Sequence, residues 1–481
     1  MEELKKIFQE NKEIIIIVAI FLALRIASMF RYHIPIWDEA VYYGMGKYLY
    51  SLGSMGLWED IRPIVLPLIL GFFWKINMPW ALTEIVPVFF STATLLMTYI
   101  LGKKLFNKDV GALAAFLLAI TPIFHLYTPY YLTEIPATFF SLLALYWFLE
   151  ARYFLSGIAA GVAFLTKFYV GLIVVSIGLL IISQAFQKTK KAILRNIMKT
   201  GLLFCLGFFI LFFLFGLFNY FMYPRENFAH SAFHTFIMAF PHQANPFETI
   251  AMTDTASTLF NIFYYPLELF KSNYIILAAI PALFFLLRKK HLEKTLPVLL
   301  PLLIGIAYLS VIPNKQLRFA IMVVPFLCML VSVGMLRIVQ QLKKRTVVKA
   351  TVVIIFSMLI MANLITLSGY FFWKPATQPL VVQELYSNLP QGTVLTSDPV
   401  FSVYNNNRFI PYYYSAEAAE KIFQEELKKT SIIIYDDRSL TCYGEDPACT
   451  GKVADVKAII GQHVLFKKYE YQSNTYYLYT V

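Results

Sequence analysis

Apolar runs as long as a bilayer is thick recur along this chain, and they limit its fold more than any motif does. Ile14–Phe30, Ala81–Leu101, Gly201–Tyr223, Leu296–Ile312, Phe319–Ile338 and Val348–Phe372 are each long enough to cross as a helix. Inside hydrocarbon every backbone amide needs a partner in its own segment, so such runs read as helices. Of 481 residues, 58% are hydrophobic and 15% charged, whereas a soluble domain carries charge at roughly a quarter of its positions. Arg31 and Trp37, rather than small residues, follow the first run, which therefore reads as an uncleaved anchor. The formal charge of +12 would suit a nucleic-acid binder, but roughly half of the Lys and Arg fall in loops assigned to the cytoplasm. The excess sets topology, and nucleic acid is not an expected partner.

Loop charge threads the spans. Lys5, Lys6 and Lys12 hold the start in the cytoplasm, and residues 31–80 then lie outside. Within them, Pro63–Ile76 is apolar but short. Counted as a span, it would put Lys103, Lys104 and Lys108 outside, so it is predicted to be interfacial or re-entrant. Ala81–Leu101 returns, Val110–Tyr127 exits and Glu134–Glu150 enters. Phe154–Thr166 and Phe168–Gln184 form a short pair with Lys167 at their outer turn. The basic loop Lys188–Lys199 is inside and a second long outer loop covers 224–271. Tyr274–Leu287 and the last three long runs complete the path. The expectation is a mainly α polytopic protein of the cell membrane with about eleven transmembrane helices. From Lys374 the pattern changes. Thr393–Thr396, Ser431–Tyr435, His463–Phe466 and Thr475–Tyr479 read as strands, and Leu380–Asn388 and Ala416–Lys429 as helices. Residues 1–373 are expected to form the membrane domain and 374–481 a small extracytoplasmic α/β domain.

The chemistry-bearing residues gather on the predicted outer side. Asp38 and Glu39 adjoin in IleTrpAspGluAlaValTyrTyr. Neighbouring carboxylates in a partly desolvated place resist ionising together, which is one way to make a general base. Alternatively, Asp38 caps a helix starting at Ala40 and Glu39 faces water. Glu134 opens a span. Thr133 as its cap and Pro136 in its first turn give a purely structural reading, against which stands the functional use of carboxylates near a bilayer. Arg62, Lys167, Lys315 and Arg318 are cations assigned to outer turns. Lys167 can equally snorkel to headgroups. Lys315 and Arg318 oppose the dipole of a helix start, and a bound anion would offset that cost; arginine suits phosphate. His230 and His234 stand four apart, as some zinc ligands do, but nothing nearby completes a set. No cofactor is certain from these residues, and a divalent metal is left open with no ligand set to indicate it. Cys205 and Cys328 lie in apolar spans. Cys442 and Cys449 enclose a short polar loop in a compartment that permits oxidation, and are expected to form a disulfide.

Taken in order, these residues resemble a family. An AspGlu pair after the first span is followed by ArgPro before a short apolar helix and GlyLysLysLeuPhe in an inner loop. ThrGluIlePro at a span start, LeuThrLys, and LysGlnLeuArgPhe ahead of a Pro-containing span complete the series. The likeness is to the GT-C glycosyltransferase superfamily, in the branch of protein O-mannosyltransferases and lipid A aminoarabinose transferases, over Met1–Gly334. It implies the GT-C fold and inverting transfer of a sugar from a polyprenyl (dolichyl or undecaprenyl) phosphate donor to an acceptor hydroxyl on the outer face. It implies Asp38 as base, Glu39 as its partner and Glu134 as the second acidic position, with Arg62, Lys167, Lys315 and Arg318 on the donor phosphate. Membrane lipids and a protein, lipid or glycan acceptor are the other implied partners. ArgProIle stands where many members have LysProPro, and Gln316 where an acid is frequent. A transporter or flippase of polyprenyl-linked substrates is the main rival; it predicts charges near the bilayer midplane and paired broken helices. An assembly protein, the third class, gives the opposed acids and bases no role.

Overall fold

Four stretches threaded inward by loop charge begin with a turn tighter than an α-helix. The computed structural model describes residues 9, 11–30, 33–185, 190–223, 228–235, 237, 255–286, 292–312, 315–342, 346–371, 384–386, 389–413, 416–436, 440, 447–471 and 474–481. Trp80–Glu84, Phe168–Leu172, Tyr274–Ala278 and Leu317–Met322 are 3₁₀ turns that lead into the α-helices Ile85–Leu105, Ile173–Ala185, Ala279–Leu286 and Val324–Gln341. A 3₁₀ turn forms poorer hydrogen bonds than an α-turn and is used in short pieces at helix ends. Here it lets polar side chains flanking a span depart from the helical face pattern.

The chain divides into two compact units. The first comprises Met1–Ser28, Ile61–Pro63 and Ile85–Trp373. Among the described residues of the chain, Trp80–Leu105, Met198–Met222, Glu293–Val311, Val324–Gln341 and Thr346–Gly369 are long and apolar enough to cross a membrane. Shorter apolar helices include Glu134–Leu149 and Tyr153–Thr166. Close approach depends on glycine: a Cβ on Gly157 would lie 2.0 Å from the Phe204 carbonyl oxygen, and one on Gly207 2.1 Å from that of Phe154. Small residues of this kind let membrane helices pack backbone to backbone. The expected continuous span Val110–Tyr127 is instead two helices, Lys108–Ala119 and Pro122–Tyr127. Thr121 adopts extended geometry (φ −75°, ψ 118°), as a residue before proline prefers, and Pro122 opens the second helix. Within the expected outer loop 224–271 lies an 18-residue helix, Thr255–Ser272.

The second unit comprises Met29–Asp60, Ile64–Glu84 and Lys374–Val481. Its strands are β1 (Gly56–Leu57), β2 (Thr393–Thr396), β3 (Arg408–Pro411), β4 (Ile432–Asp436), β5 (Val464–Tyr471) and β6 (Asn474–Thr480). They form one mixed sheet in the order β1-β3-β2-β4-β6-β5. The pairs β1–β3, β3–β2 and β2–β4 are parallel, and β4–β6 and β6–β5 antiparallel. Helices Ala416–Glu426 and Pro447–Ile460 cover it, packing Ala419, Phe423, Val456 and Ile460 against Leu395, Tyr412 and Ile433. Four of the strands were legible as alternating runs; β1, β3 and the helix Pro447–Ile460 were not. The expected helix Leu380–Asn388 falls mostly outside the described residues.

The contacts divide at the expected 373/374, but the second unit also takes in 29–60 and 64–84. Segment 31–80, read as a loop of the membrane domain, supplies β1 and the helices Trp37–Tyr50 and Val65–Lys75 to the second unit. Val65–Lys75 has 11 residues, about half of what a span needs. Lys47 is buried and its ammonium donates to the carbonyls of Val403 (2.9 Å) and Asn405 (3.0 Å) and to Asn406 Oδ1 (3.2 Å). Ser402 Oγ donates to the Ala40 carbonyl at 3.4 Å, and Tyr413 Oη to Glu59 Oε1 at 2.6 Å.

At the end of β2, Asp398 is buried and accepts from the Val400 amide (2.8 Å) and Tyr386 Oη (3.1 Å). Burial, with the charge of Asp436 adding, pushes its carboxyl up to about 6 from 3.8. A carboxyl raised in the folded state supports folding below its unfolded pKa, and that support is lost as pH rises through the folded value. The loss amounts to about 3 kcal/mol. Asp398→Asn should match the wild type at about pH 4 and exceed it in hydrogen-exchange protection of β2 at about pH 7.5. Equal protection of the two proteins at both values would contradict the ionisation cost.

Candidate active site

Glu134 is the first residue of helix Glu134–Leu149 and is 2% exposed. Its expected cap fails: the Thr133 side chain makes no capping bond. Two cations face it from other segments. Lys167, in extended geometry between helix Tyr153–Thr166 and the turn Phe168–Leu172, places Nζ 3.4 Å from Glu134 Oε1. Arg318, in the turn Leu317–Met322, places Nε 3.6 Å from the same oxygen. These distances are ion-pair contacts and longer than hydrogen bonds. Both Glu134 oxygens, Thr133 Oγ1 and Tyr169 Oη are buried without a hydrogen-bond partner. Aromatic faces wall the cations: Lys167 Nζ lies 5.5 Å from the Tyr169 ring centre and 5.3 Å from that of Phe319, and the Arg318 guanidinium 5.6 Å from Phe319. Buried polar groups left unsatisfied in a native fold call for an explanation. A polar ligand would supply one.

The other expected residues are placed differently. Lys315 donates to the carbonyls of Leu309 (2.8 Å) and Ser310 (2.7 Å), closing the end of helix Leu292–Val311. A cation on the last carbonyls is favourable there, and burial pushes the Lys315 ammonium down to about 8. It serves the helix end and not the Glu134 cluster. Gln316, the departure from an acidic residue, accepts from Arg318 Nε at 2.6 Å and so steadies the guanidinium. Arg62 is half-buried in the turn before Val65–Lys75.

Asp38 and Glu39 occupy the second and third positions of helix Trp37–Tyr50. Successive helical residues diverge by about 100°, so adjacency in sequence does not make a facing pair. Glu39 is fully buried; its Oε2 accepts from the Ile36 amide (2.8 Å) and meets His33 Nε2 at 3.0 Å. The helix starts at Trp37 rather than Ala40, and Glu39, not Asp38, secures its first turn; the expectation that Glu39 tunes Asp38 gives way to this role. Asp38 is half-buried.

His234 is buried with its ring 4.0 Å from that of Tyr223. Among the described residues no group of three or more His, Cys, Asp or Glu is placed to hold a metal ion. Cys449 is disulfide-bonded and Cys442 lies outside the described residues. Sequence reading missed Tyr169 and Arg25. Arg25, buried in the first helix, donates to the His125 carbonyl at 3.3 Å and contacts the His125 ring. A charge inside an apolar run was the available signal for Arg25; none existed for Tyr169.

Breaking a buried ion pair on one side leaves the other charge uncompensated, which costs about 3–5 kcal/mol. Glu134→Gln should lower stability on that scale, and Glu134→Gln with Lys167→Met should recover most of the loss. Thermal unfolding of the singles and the double, read as a mutant cycle, checks the coupling; additive losses would mean the pair contributes nothing.

Comparison with known proteins gives this cluster a family context. Residues 85–228 match the family described as dolichyl-phosphate-mannose-protein mannosyltransferase, a stretch that includes Glu134 and Lys167. No curated protein sequence matches the chain. Among solved structures, ArnT from Cupriavidus metallidurans bound to undecaprenyl phosphate is similar at a TM-score of 0.66 and 11% identity, covering 98% of both chains. The apo oligosaccharyltransferase of Archaeoglobus fulgidus matches at 0.58 and 12% identity, over 89% of this chain and 70% of that one. Oligosaccharyltransferase AglB from the same archaeon, in complex with an inhibitory peptide and a dolichol-phosphate, matches at 0.55 and 11% identity, over 89% of this chain and 70% of that one. The molecule is thus an integral multi-pass membrane protein with an ArnT-like fold and a mixed sheet in its carboxyl-terminal part. Residues 85–228 match the model of the dolichyl-phosphate-mannose-protein mannosyltransferase family, and the fold is one shared with ArnT and the archaeal oligosaccharyltransferase.

Proposed function

We propose that the chain transfers a sugar from a polyprenyl-phosphate carrier to an acceptor hydroxyl on the extracytoplasmic face, with inversion at the anomeric carbon. The observation that carries the reading is the buried Glu134–Lys167–Arg318 cluster, two cations on one carboxylate whose oxygens make no hydrogen bond. Undecaprenyl phosphate and dolichol-phosphate, the lipids named with ArnT and AglB, have the matching chemistry. The acceptor oxygen forms a bond to the anomeric carbon as the bond from that carbon to the phosphate oxygen breaks. The phosphate departs with the electron pair, and Lys167 and Arg318, with Arg62, stabilise its charge. Asp38 takes the hydroxyl proton as general base. Glu134 holds the two cations apart and aimed, and Glu39 maintains the helix that presents Asp38. Lys315 is left out of the phosphate clamp because its ammonium is committed to two carbonyls. Protein, lipid and glycan hydroxyls all satisfy this chemistry as acceptors.

Asp38→Asn should keep donor binding and lower turnover by roughly 10² to 10⁴, the range for a removed general base. Arg318→Ala should weaken binding of the polyprenyl phosphate as well as turnover, and Lys315→Ala should spare that binding. Lipid binding and product formation, measured separately on purified protein, distinguish the three. Full activity in a folded Asp38→Asn protein would remove Asp38 from the chemistry. Orientation is tested on intact cells lacking Cys205 and Cys328. An impermeant thiol reagent should label a cysteine at Glu420 and spare one at Asn196; the reverse pattern would turn the site to the cytoplasm.

A further inference from the structure

We infer that Tyr169 recognises the sugar of the donor: its hydroxyl hydrogen-bonds a ring hydroxyl of the saccharide carried on the polyprenyl phosphate. This rests on the transfer reading above and names a residue that reading does not use. Tyr169 is 9% exposed and sits in the turn Phe168–Leu172, two residues after Lys167. Its ring is clamped. It stacks on Tyr308 (centres 6.1 Å apart, planes at 26°), tilts against Phe319 (5.3 Å, 58°), and lies under the Lys167 ammonium. A ring held this way cannot swing to find a partner for its hydroxyl, and that hydroxyl has none. Buried tyrosine hydroxyls are ordinarily paired.

What surrounds it selects the ligand. Lys167 Nζ, 5.5 Å from the Tyr169 ring centre, is 3.4 Å from Glu134 Oε1, so one ammonium neighbours both groups, and both Glu134 oxygens are likewise buried without a hydrogen bond. The place therefore offers an unsatisfied donor near unsatisfied acceptors. A phosphodiester brings acceptors only and has nothing to give a carboxylate. A sugar hydroxyl accepts from one side and donates to the other. The saccharide attached to the phosphate is the group whose chemistry fits Tyr169 and Glu134 together.

Tyr169→Phe removes the hydroxyl and keeps the ring. With the purified full-length enzyme, affinity for a polyprenyl-phosphate sugar should fall about tenfold, the scale of one hydrogen bond. Affinity for the sugar-free polyprenyl phosphate should not change, which also shows the variant to be folded. The KM for donor should rise while that for acceptor stays. A series of donors each lacking one sugar hydroxyl gives a check on the wild type itself: one deoxy position should lose binding to a similar degree, and Tyr169→Phe should be insensitive at that position. Equal loss for both lipids would assign the hydroxyl to phosphate, and loss confined to the acceptor KM would assign it to the acceptor. No change in either, or wild-type protein that binds both lipids alike, would end the inference while leaving sugar transfer intact. Sugar-dependent binding through Tyr169 with no transfer to any acceptor would instead end the transfer reading and keep this one.

Discussion

One buried carboxylate organises the membrane unit. Glu134 draws Lys167 and Arg318 toward a single oxygen from segments far apart in sequence. Charges removed from water in a low-dielectric setting persist only when paired, so these three cannot be placed independently. The local backbone follows. Lys167 breaks from helix to extended geometry before a 3₁₀ turn, and Arg318 sits inside another. Had these segments continued as ordinary α-helices, the side-chain period of 3.6 would have set their directions. The tight turns let chemistry rather than periodicity decide.

The second unit applies the same rule to a different end. Lys47, buried, gives all its protons to acceptors in residues 403–406, and this joins the helix Trp37–Tyr50 to the sheet formed by the tail. The strand β1 adds a backbone contribution from the same early segment. Asp38 thus rides on a helix whose footing is the carboxyl-terminal fold. The tail is part of the structure that carries the proposed base, and its fold has a consequence for chemistry that a mere cover would not.

Two pairs of neighbouring charges separate on inspection of their partners. Lys315 and Arg318 are three residues apart, yet one closes a helix end through two carbonyls and the other meets Glu134 with Gln316 steadying it. Asp38 and Glu39 are adjacent, yet Glu39 is bound to His33 and to the start of its own helix. In each case the residue whose bonds close a helix end or start has a structural task.

The sequence by itself determined the membrane class, the mixed tail, and the candidates Glu134, Lys167 and Arg318, because hydropathy, β alternation and a charge beside an apolar run are local signals. The likeness to a transferase family was also written in the order of its motifs. Other features depended on contacts between distant segments. A two-residue strand such as β1 has no period to read, and the division of Val110–Tyr127 turned on the geometry before Pro122. Whether Glu39 faced Asp38, or Lys315 joined Arg318, depended on which acceptors lay within reach. Tyr169 looked like any aromatic in an apolar run. Only the fold, by pinning its ring and leaving its hydroxyl unsatisfied near Glu134, set it apart, since an absent partner is a property of three-dimensional surroundings and not of a residue.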